Sequence, residues 1–539
     1  VTLTEATGGS QDLPSRLRWV SADRPDAEII VVGGGHNGLI CAAYLARAGR
    51  DTLLVEARDT IGGCASTVDA LGARFNICNC DHTFIRAMPL LDELELASHG
   101  LTYLEGDASY LHLFHDQSSP WLFFSDQERT LEGLAVSHPK AVDSYRRYLQ
   151  DAMPVAELVL DMTRCRTTLA AMAKTALARR ARGVATLLKW SRMSALDVLS
   201  SYFDDWHMVL PAISTGPTVW GVPPETPGTG MAALGYATRH LIRTGRPEGG
   251  SGALTDAVAA SFAGAGGRTR TGAVVSKLLV NSGSVAGVEL TNGDRLSAPT
   301  VVTACDPHQV MLEWIDEMPD SARKSLKRYR DQPVPDGYES KIDAVLDGRS
   351  ELVGMEALQV RFPETDMLEP TAVVSPNLEE LAEAHRMRSE GRVAPNPTIL
   401  MNMPSVLDPS MRPNGTRHIL SLEMLFTPYS LRGGWPGSTE PQRWFEVANR
   451  FWEPDLIPAE GQWRAMTPDI YESDFHMPRG HAPSYVASPL ATLMGKSREV
   501  SRYRSPITGL YLSGAGTWPG AGIFGAPGRN AAQAVLDDS

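Results

Sequence analysis

Short apolar runs alternate with helical stripes at both ends of the chain and once in its middle. Ile29 to Val32 is apolar at every position, as expected of a strand buried on both faces. Apolar residues then fall at Leu39, Ala42, Ala43, Leu45 and Ala46, a spacing that predicts a helix with one buried face. A second strand, Thr52 to Val55, follows. A related alternation returns between Gly249 and Pro307. Leu254, Val258, Ala259 and Phe262 mark a helix there. Ser276 to Val280, Val285 to Leu290 and Val301 to Ala304 read as strands, with Asn292-Gly293 as a hairpin turn. Near the end, Leu510 to Leu512 reads as a buried strand and Asn530 to Leu536 as a helix. Strands from the middle and the end of the chain are predicted to complete the sheet begun at Ile29.

The turns between these elements carry the chemistry. The first strand runs into Gly33-Gly34-Gly35-His36-Asn37-Gly38, a GxGxxG with Gly33, Gly35 and Gly38 in the key places. Gly33 permits the tight turn, Gly35 lets backbone approach a pyrophosphate, and Gly38 lets helix and strand pack closely. The helix N-terminus offers free N–H groups to phosphate. His36, inside the loop, reads as structural. Glu56, at the end of the second strand, can accept hydrogen bonds from ribose hydroxyls. A carboxylate there disfavours NADP. The acid opens Glu56-Ala57-Arg58, with Gly62-Gly63 beyond, an E-x-R-x-x-x-G-G extension that looks like that of large FAD-containing oxidases and desaturases.

The chain has 539 residues, which at about 150 residues per domain allows about three domains. The fold class expected is α/β. A discontinuous Rossmann-type FAD-binding domain spans 28–100, 245–310 and 500–539. A mixed α+β substrate or lid domain spans 101–244 and 311–499. Residues 1–27 are read as a polar lead-in without the charged start and apolar core of a signal peptide. Net charge is −13, so nothing points to nucleic acid. The longest apolar runs fall far short of the ~20 residues needed to span a membrane. Six scattered cysteines fit neither a zinc site nor a disulfide scaffold, and suggest a reduced, cytoplasmic protein. Between Arg164 and Arg192 there are eight Lys or Arg residues and no acid. With interleaved apolar residues they read as one or two basic amphipathic helices. These form either a solvated lid face or a peripheral contact with an anionic membrane.

The sequence resembles the flavin-dependent phytoene desaturase superfamily. It is most similar to the branch holding carotenoid ketolases and pyridine nucleotide-disulphide oxidoreductase domain-containing proteins. The resemblance rests on VVGGGHNGLICAAYLARAG, on PEGGSGALTDAVAASFAGAGG with GVELTNGDRLSAPTVVTACDP, and on the glycine-rich GLYLSGAGTWPGAGIFGAPGRNAAQAVL from Gly509. It implies that Gly514 and Gly516 meet the ribityl and phosphate region. Gly522, Ile523 and Phe524 would pass the pyrimidine edge of the flavin, and a helix starting near Pro527 would point at N1 and O2. Val275 would touch adenine through its backbone. Trp518 stands where relatives often carry His, which replaces a potential proton carrier with an apolar plate in the substrate pocket. RFNICNCDHTFI, from Arg74, lies where relatives approach the flavin ring. His82 is therefore a candidate base, and His82, Cys78 and Cys80 are candidate attachment points if the FAD is covalent rather than noncovalent.

These residues predict an FAD-dependent oxidoreductase that oxidises a mainly hydrophobic, isoprenoid- or carotenoid-like small molecule by hydride transfer to flavin N5. The alternatives are a flavin amine or alcohol oxidase and a flavin-bound partner protein without turnover. Oxygen, a quinone or another carrier would accept the electrons. No Ser-His-Asp elbow, HExxH or P-loop offers other chemistry.

Overall fold

Two sheets organise the chain in the computed structural model, which describes residues 25–78, 80–164, 168–213, 222–316, 319–332, 336–481, 497–520 and 522–539. All but the last three residues of the 1–27 lead-in, together with Cys165 and Ala521, lie outside the described residues.

The first sheet is parallel, with strands in the order Leu510–Leu512, Thr300–Thr303, Ile29–Val32, Thr52–Val55 and Arg268–Arg270. Each strand is short, and the central ones are apolar because both faces are covered. Ile29, Val31, Leu54 and Val302 point to one face. They pack there against helices His36–Arg47, Gly252–Gly264 and Ala526–Asp538. Ile30, Val32, Leu53, Val55 and Val301 point to the other. That face is covered by a small antiparallel sheet and by Val310 and Met311 of helix Pro307–Leu312.

The small sheet differs from expectation. Ser284–Leu290 pairs with Val275–Asn281 on one side and Arg295–Ser297 on the other, and these strands do not join the parallel sheet. Thr300–Thr303 does join it, as expected, and so does Arg268–Arg270, which has no apolar residue and gave no pattern to read. It survives as an edge because only one of its sides needs a partner. Asn292-Gly293 does form the hairpin turn, with the Gly293 N–H donating to the Leu290 carbonyl.

The second sheet has seven strands, in the order Trp463–Met466, Glu339–Leu346, His418–Leu425, Ile399–Asn402, Thr371–Ser375, Tyr110–Phe114 and Trp121–Phe123. Only Thr371–Ser375 and Tyr110–Phe114 pair in parallel; the other neighbours are antiparallel. A helical layer containing Val142–Arg164, Trp206–Ile213 and Gly235–Leu241 covers part of it through Tyr145, Tyr148, Met208 and Tyr236. The opposite face buries Leu111, Leu113, Ile342, Leu420, Leu422 and Met424.

The basic stretch forms two helices, Leu169–Ala178 and Val184–Trp190. Arg179 is tied to Glu157 and Asp161 of the long helix beneath, and Arg164 to Asp161. Lys174, Arg180, Arg182, Lys189 and Arg192 are exposed. Among the described residues no helix is long and apolar enough to cross a membrane.

Candidate functional site

The C-terminal ends of the parallel strands open into a cavity of about 760 Å³, lined there by Val32, Val55 and Ala304. Ligands of doubly wound sheets bind at this end, where helix N-termini converge.

The first glycine loop is built as its spacing requires. Gly33 leaves the strand with φ of 99°, a conformation that favours glycine. A side-chain carbon on Gly38 would stand 1.9 Å from the Gly33 carbonyl oxygen. Gly35 is different, because nothing lies within 4 Å of where its side chain would begin. It caps helix His36–Arg47 with no side-chain partner, leaving the first N–H groups of the helix available to an anion.

Glu56 is buried and spans two backbone donors. Its Oε2 accepts from Gly34 N–H at 2.6 Å and its Oε1 from Arg58 N–H at 2.8 Å. The Arg58 guanidinium lies over the Phe475 ring at 4.3 Å. Three buried polar atoms around this wall have no hydrogen-bond partner among the described residues: Nε2 of His36, Oδ1 of Asn37 and Nη1 of Arg58. Buried polar atoms are normally satisfied, so the wall fits a polar, phosphate-bearing ligand. Burial pushes His36 down to about 4, against a hydrogen bond that its ring donates to the Gly522 backbone and that ties it to the last glycine loop.

That loop supplies the opposite wall. Gly514 has φ of 88°, and a side-chain carbon there would lie 3.1 Å from the Ala304 oxygen. Gly522 has φ of 90° and open space beside it. Helix Ala526–Asp538 starts directly after Phe524 and Gly525, so its positive end adjoins the cavity.

Of the cofactor residues expected from sequence, Gly33, Gly35, His36, Asn37, Gly38, Glu56, Ala57, Arg58, Gly63, Val275, Gly514, Gly522, Ile523 and Phe524 line this cavity, as does Trp518. Gly62 and Gly516 do not. Gly62 braces the loop from behind, donating its N–H to the Gly34 carbonyl at 2.8 Å. Gly516 is buried in the loop.

His82 must be corrected. It is wholly buried and is not among the cavity-lining residues. Its Nδ1 contacts the Tyr103 hydroxyl at 3.0 Å and its Nε2 the Ser251 hydroxyl at 3.1 Å. Burial, then repulsion from His36 and Arg86, drives its pKa down to about 3. A neutral ring with both nitrogens engaged is a structural bolt, without a free lone pair for a substrate proton. Cys80 is buried outside the cavity, its thiol pushed up to about 12 by burial. Cys78 lines the cavity, and a hydrogen bond to Cys64 together with burial holds its thiol protonated.

Beyond the loops the cavity continues into an apolar chamber. Ala156, Val159 and Leu160 of the long helix line it with Leu187, Met231 and Leu234. One wall is polar, and sequence reasoning missed it. Glu339 and Glu423, on neighbouring strands of the seven-stranded sheet, both face the cavity. Glu423 is opposite Lys341, which places Glu339 and Glu423 diagonally on one face. The Lys341 ammonium donates to the Asn76 carbonyl and, at 2.6 Å, to Asp343. Arg464 also holds Asp343, and Arg246 holds Asp81 at 2.8 Å. Burial, and then Glu339, pushes Glu423 up to about 8. Burial raises Glu339 as well. The only signal was the alternation Glu339, Lys341, Asp343, which in isolation reads as a solvated strand face.

Comparison with known proteins agrees with this geometry. The family model of flavin-containing amine oxidoreductases matches residues 38–423. Pyridine nucleotide-disulfide oxidoreductase domain-containing protein 2 of Rattus norvegicus is 29% identical over 96% of this chain and 94% of its own. The lycopene-forming phytoene desaturase of Pantoea ananas is 25% identical over 94% and 98%. Among solved structures, wild-type putrescine oxidase bound to putrescine superposes with a TM-score of 0.60 at 16% identity, covering 95% of this chain and 98% of that one, a likeness of fold. The resemblance to the phytoene desaturase superfamily holds. With the dinucleotide loop, the strand-end acid and the second glycine loop on one cavity, the chain is an FAD-dependent oxidoreductase belonging to the flavin-containing amine oxidoreductase family.

Proposed function

We propose that this oxidoreductase removes hydrogen from a mainly hydrophobic small molecule, with FAD held noncovalently. One observation carries the reading: a single cavity runs from Gly33 and Glu56 to an apolar chamber walled by Val159, Leu160, Leu187, Met231 and Leu234. Gly35 and the N–H groups after it would hold the pyrophosphate, Glu56 the adenosine ribose, and Val275 the adenine. Gly522 to Phe524 would meet the ring system. Bound FAD supplies a hydride acceptor. The chain orients the substrate C–H bond and keeps water out, which an apolar wall does well. Trp518 adds a flat apolar surface at the junction. Noncovalent binding is supported by the protonated thiols of Cys78 and Cys80 and by the burial of His82, since thiolates and free imidazoles are the groups that attach. A relative named as a phytoene desaturase supports an apolar substrate.

The amine or alcohol oxidase reading has its own observation, the Glu339–Glu423 pair in the chamber wall. A polar substrate end has a place to go there.

The test is the visible spectrum of the purified protein, repeated on the supernatant after acid precipitation. FAD in the supernatant supports the proposal; flavin left in the pellet refutes noncovalent binding. Anaerobic bleaching by apolar polyenes, alcohols or amines then sorts the substrate classes.

A peripheral site on anionic membrane is proposed for the basic helices. Leu177 is 74% exposed between exposed cations, and Leu187 of the next helix lines the chamber, so this surface adjoins the route an apolar substrate would take. Flotation with anionic but not neutral vesicles is the expected result.

A further inference from the structure

We propose that Glu339 and Glu423 together form a receptor for a hydroxyl group carried by an otherwise apolar substrate. This rests on the oxidoreductase reading of the cavity and names the polar feature of its substrate.

The pair sits where an apolar chamber has no structural use for it. Glu423 is 4% exposed, lines the cavity, and among the described residues its carboxyl group has no hydrogen-bond partner. A buried carboxyl without a partner is costly, and what little of it is open faces the chamber. Among the described residues Glu339 has one weak partner, the Cys78 thiol at 3.7 Å. Neither acid is needed to hold its neighbours. Lys341 is already bonded to Asn76 and Asp343, and Asp343 is shared with Arg464.

Charge decides what the pair can receive. The groups around it are Lys341 and Asp343 on its own sheet, Arg464 on the edge strand, Asp81 with its partner Arg246, the thiols of Cys78 and Cys80, and the phenol of Tyr471. Lys341, Arg464 and Arg246 are three cations; Asp81, Asp343, Glu339 and Glu423 are four carboxyl groups. One proton on the pair therefore makes the cluster neutral. No ligand cation is required. A pair with one proton presents one donor and one acceptor side by side. A hydroxyl group accepts from the first and donates to the second. A hydrocarbon offers neither bond, and an ammonium would have to displace the pair's proton.

The experiment uses the FAD-loaded full chain under anaerobic conditions, titrated with 1-octanol and with octylammonium by calorimetry between pH 7 and 9.5. Binding heat is read without turnover. In the native protein 1-octanol affinity should fall about tenfold as the pair loses its proton, the scale of one good hydrogen bond. Glu423→Gln keeps a donor and an acceptor at every pH, so its affinity should stay within roughly threefold of the native value at pH 7 and remain flat to pH 9.5. Glu423→Leu should lose about tenfold at pH 7. Thermal midpoints check that both variants fold, and Glu339→Gln, expected to flatten the profile as well, stands in if either does not. Infrared difference spectra should show a protonated-carboxyl band at pH 7 that Glu423→Gln abolishes. Octanol binding that is flat with pH in the native protein, or unchanged in Glu423→Leu, overturns the proposal. Octylammonium binding that strengthens above pH 8 overturns it in favour of a cation site. Protein purified without FAD, and refusing it on reconstitution, overturns the underlying reading instead.

Discussion

The Gly34 N–H donates to Oε2 of Glu56 at 2.6 Å, so the acid at the end of the second strand holds the phosphate loop at the end of the first. One carboxylate thus shapes the loop and faces the ligand that the loop would bind. Glu56→Ala removes both contributions. Hydrogen bonds to a charged group are worth about 1.5–3 kcal/mol, so FAD affinity should fall roughly 10- to 100-fold in equilibrium dialysis. Full flavin occupancy in the purified variant would remove Glu56 from the site.

Gly35 and Gly38 should respond oppositely to the same change. An alanine methyl at Gly38 would collide with the Gly33 oxygen at 1.9 Å, between helix and strand. Gly38→Ala should cost several kcal/mol, on the scale of severe overpacking (about 1–3 kcal/mol or more), and the thermal midpoint should drop. At Gly35 the space is empty and φ is −67°, which alanine adopts freely. Gly35→Ala should therefore keep a near-native midpoint while losing flavin, because its methyl fills the place of the pyrophosphate. Similar midpoints for the two variants would contradict this division of labour.

His82→Gln should behave as a stability variant. Losing the contacts to Tyr103 and Ser251 should cost about 1–3 kcal/mol in denaturant unfolding at pH 7. The pH–rate profile for any substrate should keep its shape. The sign in acid is also fixed. A histidine whose folded pKa lies near 3, below its ordinary value of 6.5, contributes stability that is present above 6.5 and is lost as pH falls toward 3. The gap between native protein and variant should therefore narrow from pH 6.5 to pH 5. A pH-independent gap would show that the ring is not held neutral.

Glu423→Gln should show the reverse dependence. A carboxyl raised to about 8 favours folding at low pH, and that contribution is lost as pH rises from its unfolded value through 8. The amide does not titrate. The variant should gain thermal stability relative to the native protein between pH 5 and pH 8, with the difference read from paired melting curves. A difference that shrinks with pH would mean Glu423 is ionised in the fold.

The parallel sheet was legible wherever burial on both faces leaves a continuous apolar run. Ile29–Val32, Thr52–Val55 and Leu510–Leu512 stand where they were read. Arg268–Arg270 was not, because an edge strand with three polar side chains has the composition of a loop. Ser276–Val280 was read as a strand but assigned to the parallel sheet, since period and burial do not encode which sheet a strand joins. In the site, the glycines were legible because a left-handed turn at Gly33 and a backbone collision at Gly38 both favour glycine. His82 was misread because a histidine beside a flavin motif looks the same in sequence whether it faces a cavity or a tyrosine. Glu339 and Glu423 were passed over for a related reason. Alternation along a strand reports which side chains share a face, and it is silent on whether that face meets water or an internal chamber.

Leu510–Leu512 joins the parallel sheet through Thr300–Thr303, and the helix after it packs on His36–Arg47 beside the cavity. On the ribosome these late residues appear after more than two hundred others have followed the strand that they complete. Until then Thr300–Thr303 has an open edge and the last glycine loop does not exist. The cavity is therefore complete only once segments more than two hundred residues apart have met, and flavin retention reports on the joined fold rather than on either segment alone.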